Sequence, residues 1–427
     1  MGILFSVIVP VFNSERYISN AIKSVLRQKL EKKNYEIILI NDNSSDQSLK
    51  IIRNFKKKFK NIKVINNKKN YKVSFCRNAG IKKATGKYII FLDSDDEIKK
   101  NAFKDIKKII LKTEYDLILF LEYQSNKYRI NKKQVNKIRN IDQFIKYDNK
   151  NKIYNPNCWN LVINRSFLNK AKVLFKKIDI FEDQVFCTEI LFLARKIKVM
   201  PGTFYKYILR PLSLSRNTSY VSFRSCSYVL INFFKFFENK KLSVNKINFI
   251  KNRINFIMNI NKVYLNICSK NQIKKISLNF QKNTKKLKVE GNFLKKYTNK
   301  ISNFYKLEKL LKLKNQSINK INKLNYVNFD KIFIFSYGVV GRTLFHILKN
   351  NRVKINGFID NNKNFLNANY SSVKIYDLKN FKRKINQKLT KILVIVCQSN
   401  KFVTRKIVYQ LKNIGLMKSN IRIFNAF

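Results

Sequence analysis

Three continuous apolar runs in the first hundred residues constrain the fold more than any other feature: FSVIVPVF (Phe5 to Phe12), YEIILIND and KYIIFLDSDD. A shorter β-rich run, IKVINN, lies between the second and third. The intervening segments, ERYISNAIKSVLRQ, SSDQSLKIIRNFKKKF and SFCRNAGIKKAT, carry apolar residues at helical spacing. Asn13 or Ser14 can cap the first helix, a Ser or Asp the second, and Gly86 stops the third. Strands that are apolar on both faces and alternate with helices predict a mostly parallel sheet covered on both sides, an α/β fold. Ligands bind such sheets at the carboxyl ends of the strands. Asp42 and Asp93 both fall there, after different strands.

The chain has 427 residues, enough for two or three domains. Residues 1–215 hold this alternation and then a mixed stretch with the single tryptophan, Trp159. Residues 216–328 are rich in Lys, Asn, Ile and Phe, with almost no Gly or Pro, and read as a basic region of amphipathic helices. Residues 329–427 return to an α/β pattern and predict a small Rossmann-like domain. There KIFIFSYGVVGRTLFHILKN reads as strand, glycine turn and helix, and VKINGFIDNN as a second strand ending in Asp360. Gly338 and Gly341 match the second and third glycines of G-x-G-x-x-G, with Ser336 at the first, and Asp360 stands where a ribose-binding acid would. A glycine turn at a helix N-terminus can bind the phosphate of a nucleotide, or can be a tight βα turn that binds nothing.

The 89 Lys and Arg against 25 Asp and Glu give a formal charge of +64. Such a chain attracts anionic partners, although a compositional bias toward Lys, Asn and Ile accounts for the charge without one. No recognised nucleic-acid motif occurs, so specific nucleic-acid binding is not expected; contact with an anionic membrane surface is the alternative. The six cysteines are far apart, which signals neither a zinc site nor a disulfide framework and suits buried thiols in a reducing compartment. The only histidine, His346, sits in a helical pattern, so no histidine-based nucleophile triad is available. The N-terminus fits the pattern M-G-x-x-x-[ST], but lipidating Gly2 would tether the first strand. It lacks a basic leader and reads as a strand, and no apolar run reaches spanning length. The expected location is cytoplasmic, or peripheral at the inner face of the membrane.

The acid cluster that ends KYIIFLDSDD carries the most chemistry. Asp93-Ser94-Asp95 is a D-x-D spacing where the chain leaves the sheet, and hard divalent cations share such carboxylates with phosphate oxygens. Alternatively, Asp95, Asp96 and Glu97 open the helix EIKKNAFKDIKKII and complement its dipole. Glu182 and Asp183 in FEDQ have the same two readings before QVFCTEILFLARK. Asp42 can be a turn residue bonded to its own backbone, and Trp159 a core anchor.

The segments SVIVPVFNSERYISNAIKSVLRQ, EIILINDNSSDQS, CRNAGIKKATGKYIIFLDSDD and FEDQVF occur in the order and at roughly the spacing of family 2 glycosyltransferases with a GT-A fold. The resemblance covers about residues 3–215. It implies inverting transfer of a sugar, of the hexosyl type, from a nucleotide diphosphate sugar to an acceptor hydroxyl, with Mg²⁺ or Mn²⁺. It implies that Pro10, Phe12, Asn13 and Glu15 lie near the base and that Asp42 accepts a hydrogen bond from it. It places Arg77 near the diphosphate, Asp93 and Ser94 at the nucleotide sugar, and Asp95 on the metal. Asp183 becomes the general base, with Glu182 and Trp159 on the acceptor side. Two departures stand out: NDNSSDQS replaces the family's DDGSSDGS, which leaves base identity open, and Leu161 replaces the lysine of the WNK element. The acceptor is expected to be a glycan or lipid-linked, in cell-surface polysaccharide or glycolipid synthesis. The alternative is a nicotinamide-dependent enzyme, or a non-catalytic nucleotide-binding protein, acting through the C-terminal domain.

Overall fold

A computed structural model describes residues 2–121, 130–208, 219–238, 240–285, 299, 301–322, 324, 326, 329–336, 339–350, 352–361, 369–370, 373–385, 391–397 and 401–424. The chain forms two compact units. Met1–Ile208 with Lys240–Ile254 make the first, and Leu209–Asn239 with Asn255–Phe427 the second.

The first unit is organised by a seven-stranded sheet. Its strands are β1 (Phe5–Val11), β2 (Tyr35–Asn41), β3 (Ile62–Asn66), β4 (Tyr88–Phe91), β6 (Leu117–Leu121), β7 (Leu161–Asn164) and β8 (Ile197–Pro201), while β5 (Glu97–Ile98) and β9 (Tyr205–Lys206) form a separate antiparallel pair. The order is β3-β2-β1-β4-β7-β6-β8, and every strand except β7 runs parallel to β1. Because successive side chains point to opposite faces, each apolar run feeds two cores at once. Ile8, Ile38, Ile40, Ile89 and Phe91 pack on one face with Cys76 and Ile81 of helix Val73–Lys83 and Phe186 and Ile190 of helix Glu182–Leu193. Val7, Val9, Ile37, Leu39, Tyr88 and Ile90 pack on the other with helices Ile18–Leu26 and Ala102–Lys112. The sheet is therefore covered on both sides, as the continuous apolar runs predict.

At the amino ends of β1 and β2 the core admits one charge. Glu36 is buried and accepts from Ser6 Oγ at 2.6 Å, Thr85 N at 2.7 Å, Thr85 Oγ1 at 2.8 Å and Lys63 Nζ at 2.5 Å. Burial alone would raise its pKa, but these donors outweigh burial and hold it below its ordinary value.

Some local expectations differ. Helix Ile18–Leu26 starts after Tyr17 with no side-chain cap, because Asn13 and Ser14 are engaged elsewhere. The acid cluster does not open a helix either: Glu97 and Ile98 form strand β5, and the helix begins at Ala102.

The second unit carries helices Tyr220–Phe237, Lys270–Thr284 and Leu307–Asn322. It also has a six-stranded sheet of β10 (Lys331–Phe335), β11 (Gly357–Ile359), β12 (Asn369–Tyr370), β13 (Val373–Tyr376), β14 (Ile392–Cys397) and β15 (Ile421–Phe424). The order is β12-β13-β11-β10-β14-β15, parallel except for β12. Among the described residues, no helix is long and apolar enough to cross a membrane. All six cysteines are unbonded and buried.

A Cβ added at Gly86 would lie 2.7 Å from the backbone carbon of Phe5 and the backbone nitrogen of Ser6, at the root of β1. Backbone in a packed sheet cannot yield as a flexible side chain can. Gly86→Ala is therefore expected to lower unfolding stability by about 1–3 kcal/mol, the usual cost of overpacking. Urea melts of the two proteins measure this, and equal midpoints would show that the contact relaxes freely.

Candidate active site

The winding of the sheet reverses between β1 and β4, and the carboxyl ends of these strands and of β2 bound one crevice. The β1–β4 ladder ends at Ile8 and Phe91, whereas β1 stays paired with β2 as far as Val11 and Asn41. Pro10 sits in that overhang, on the side vacated by β4, so its missing N–H costs no ladder bond. Beyond it, the loops from β1 and β2 are laced together. Asn13 N donates to Ser44 Oγ at 3.1 Å and Ser45 N to Asn13 Oδ1 at 2.9 Å. Glu15 N donates to Asp46 Oδ2 and Gln47 N to Glu15 Oε2, both at 3.0 Å. Ser14 and Ser94 share a 2.7 Å hydroxyl bond that ties the β1 loop to the acid turn after β4. Phe12 is left 47 % exposed at this rim.

Asp42, just after β2, is buried but does not bond its own backbone. It accepts from Asn67 Nδ2 at 2.8 Å, Tyr71 N at 2.9 Å and Lys72 N at 2.8 Å. The carboxylate thus organises the loop that precedes helix Val73–Lys83. Within that loop Lys72 has φ +75° and ψ 165°, a region that only glycine enters freely. The rings of Tyr71 and Phe75 stack at 4.4 Å and remain exposed.

Arg77 lies on helix Val73–Lys83 and is buried. Its guanidinium donates to Asp93 Oδ1 at 2.8 Å, forms a short ion pair with Glu182, and lies 5.2 Å from the centre of the Phe175 ring. One buried cation therefore joins the end of β4 to the start of helix Glu182–Leu193. Asp183 is next in that first turn. Burial, followed by repulsion from Glu182, raises its pKa well above the ordinary carboxylate range, with Arg77 opposing. A carboxylate in that state can exchange a proton near neutral pH.

The acid cluster divides its work. Asp93 and Asp95 are partly exposed, while Asp96 is buried. Asp96 accepts from Tyr205 Oη at 2.8 Å and Ile208 N at 2.7 Å, and the Tyr205 oxygen accepts from Asp93 N at 3.0 Å. Burial, then repulsion from Asp95 and Asp93, pushes the Asp96 pKa up to about 8. Trp159 is buried and its ring stacks on Tyr205 at 4.5 Å, which fits the core-anchor reading while placing it beside the acid turn. Among the described residues, no group of three or more His, Cys, Asp or Glu could hold a metal unaided. One or two carboxylates, with phosphate oxygens and water completing the shell, is what Mg²⁺-type ions use, so the donors at Asp93 and Asp95 fit such an ion.

Sequence reasoning missed Asp96 and Tyr205 as organisers of this turn. Asp96 stood in the acid run, but Tyr205 has no motif to mark it. In the second unit, Gly338 lies outside the described residues. Gly341 is in helix Val339–Asn350, where a Cβ would meet Ser336 O at 2.0 Å, and Ser336 has φ +90°. Asp360 follows β11 and donates its N–H to Tyr376 O at 3.0 Å.

The family Glycosyl transferase family 2 matches residues 6–171. The poly(ribitol-phosphate) beta-glucosyltransferase of Bacillus spizizenii is 32 % identical over 222 residues, covering 51 % of this chain and 34 % of the relative. The processive diacylglycerol beta-glycosyltransferase of Mycoplasma genitalium is 29 % identical over 246 residues, covering 51 % of this chain and 67 % of the relative. The chain thus spans about a third of the length of its Bacillus relative. The crystal structure of Staphylococcus aureus TarS in complex with UDP-GlcNAc aligns with a TM-score of 0.55 at 20 % identity, over 74 % of this chain and 92 % of that one. Residues 6–171 are a family 2 glycosyltransferase domain, on a sheet and helix framework of the GT-A type.

Proposed function

We propose that the chain is an inverting glycosyltransferase of the hexosyl type that moves a sugar from a nucleotide diphosphate donor to an acceptor hydroxyl. The observation that carries this reading is the meeting of Asp93 and Glu182 on buried Arg77, which puts the D-x-D turn and the Glu182–Asp183 pair beside one another past the carboxyl end of β4. The nucleoside would lie along Pro10, Phe12, Asn13, Glu15 and Asp42, and the diphosphate toward Asp93 and Ser94. Arg77, placed by the sequence near the diphosphate, acts through the two carboxylates it holds. Asp95, with Asp93 beside it, would hold Mg²⁺ or Mn²⁺, which supplies charge neutralisation at the leaving diphosphate.

In the reaction Asp183 takes the proton of the acceptor hydroxyl. That oxygen bonds to the anomeric carbon as the bond from this carbon to the diphosphate oxygen breaks, and configuration inverts. Glu182, bound to Arg77, keeps the first turn of its helix in place, and Trp159 lies on the acceptor side. The acceptor is a glycan or lipid-linked molecule of cell-surface polymer synthesis. The names of the Bacillus and Mycoplasma relatives support that class, and the formal charge of +64 suits an anionic polymer or an anionic membrane face.

Asp183→Asn is expected to cut transfer by about 10²-fold or more, the low end of what a general base supplies, with donor affinity retained. Product formation and donor titration measure the two quantities, and survival of transfer would move the base elsewhere. Because the base must be ionised and its pKa is raised, kcat/KM is expected to climb with pH on a limb displaced above the ordinary carboxylate range. Loss of transfer below that limb is the corresponding sign, and a rate independent of pH across neutrality would contradict it. UDP or GDP with Mn²⁺ is expected to raise the melting temperature, whereas NAD(H) is not; the reverse pattern would favour a nicotinamide enzyme.

A further inference from the structure

The segment Thr203–Ile208 does more than close the first unit. Its Phe204 O accepts from Lys99 N at 2.8 Å, and β9 pairs with β5 directly after the acid turn. Thr203 Oγ1 donates to Asn160 Oδ1 at 3.1 Å, which fastens the same segment to the residue after Trp159. Between these two anchors, the Tyr205 phenol accepts from the Asp93 peptide and donates to Asp96, while its ring lies on Trp159. A buried hydroxyl that is satisfied on both sides, and backed by a stacked indole, has little freedom to shift.

Resting on the glycosyltransferase reading, we propose that Tyr205 is a positioning residue that sets the D-x-D turn for the cation and diphosphate. It acts on the peptide of Asp93, not on the ligand. It also links that turn to Trp159, so the donor and acceptor sides of the site share one aromatic support. Tyr207, two residues on, stacks on Trp159 at 6.1 Å and is 37 % exposed. It is the internal control, because no bond joins its hydroxyl to the acid turn among the described contacts.

The test is Tyr205→Phe, which removes one oxygen and keeps the ring. Mn²⁺ binding in the presence of UDP is read by the loss of the free-ion electron paramagnetic resonance signal, alongside UDP titration in EDTA and thermal melting. Tyr205→Phe is expected to weaken Mn²⁺ affinity about tenfold, in the range for groups that orient metal ligands from behind. UDP binding in EDTA and the behaviour of Tyr207→Phe are expected to match the wild type. A variant that melts earlier but binds Mn²⁺ as the wild type does has lost only packing, and overturns the proposal. If Tyr205→Phe does not fold, Trp159→Phe keeps the phenol and loosens its support; it is expected to weaken Mn²⁺ by a smaller factor, and unchanged affinity overturns the proposal equally. Wild-type protein that binds no Mn²⁺ with UDP would instead refute the metal-dependent reading on which the inference rests.

Discussion

A buried guanidinium is the constraint on which the site depends. Arg77 cannot leave water without partners, and losing both Asp93 and Glu182 would strand its charge in a medium that penalises it by several kcal/mol. The two carboxylates come from segments far apart in the chain, so satisfying one cation also sets the distance between them. Asp183 inherits its place from this arrangement. Glu182 is taken up by Arg77, and Asp183, next to it and desolvated, is left with a weakened hold on its ionised form.

The winding of the sheet supplies the frame for that triad. Because the β3-β2-β1-β4 order turns back at β1 and β4, two loops leave in opposite directions and open a crevice between them. The same winding recurs in the second unit as β13-β11-β10-β14. There Asp360 and Asp377 follow the neighbouring strands β11 and β13, and no D-x-D spacing accompanies them. The framework repeats while the polar furniture at its edge does not, which is why chemistry has to be argued from side chains and not from architecture.

Much of the framework was legible in the sequence because burial on both faces leaves a continuous apolar run, and FSVIVPVF, YEIILIND and KYIIFLDSDD became β1, β2 and β4. Helix starts were less legible. Asn13, Ser14 and Asp95–Glu97 have the composition of caps, yet tertiary bonds and the β5–β9 pair claimed them. At the site, acids bunched at strand ends were visible as a pattern. Their division was not. Asp96 differs from Asp95 in what lies over it, and that cover, Tyr205 with Trp159 behind it, comes from distant parts of the chain, the tyrosine from 109 residues downstream. Asp42 was identified as a candidate, but its bonds to Asn67, Tyr71 and Lys72 depend on how one loop folds back, which no local pattern encodes.

That loop has a mechanical side. With nine glycines in 427 residues, the chain places a lysine in a conformation costing on the order of 1–3 kcal/mol, and the Asp42 carboxylate is the catch that keeps it there. That backbone stands at the lip of the crevice with the exposed Tyr71–Phe75 stack on either side of it, so Asp42 and Asn70, by fixing Lys72 N–H, also fix where the two rings emerge.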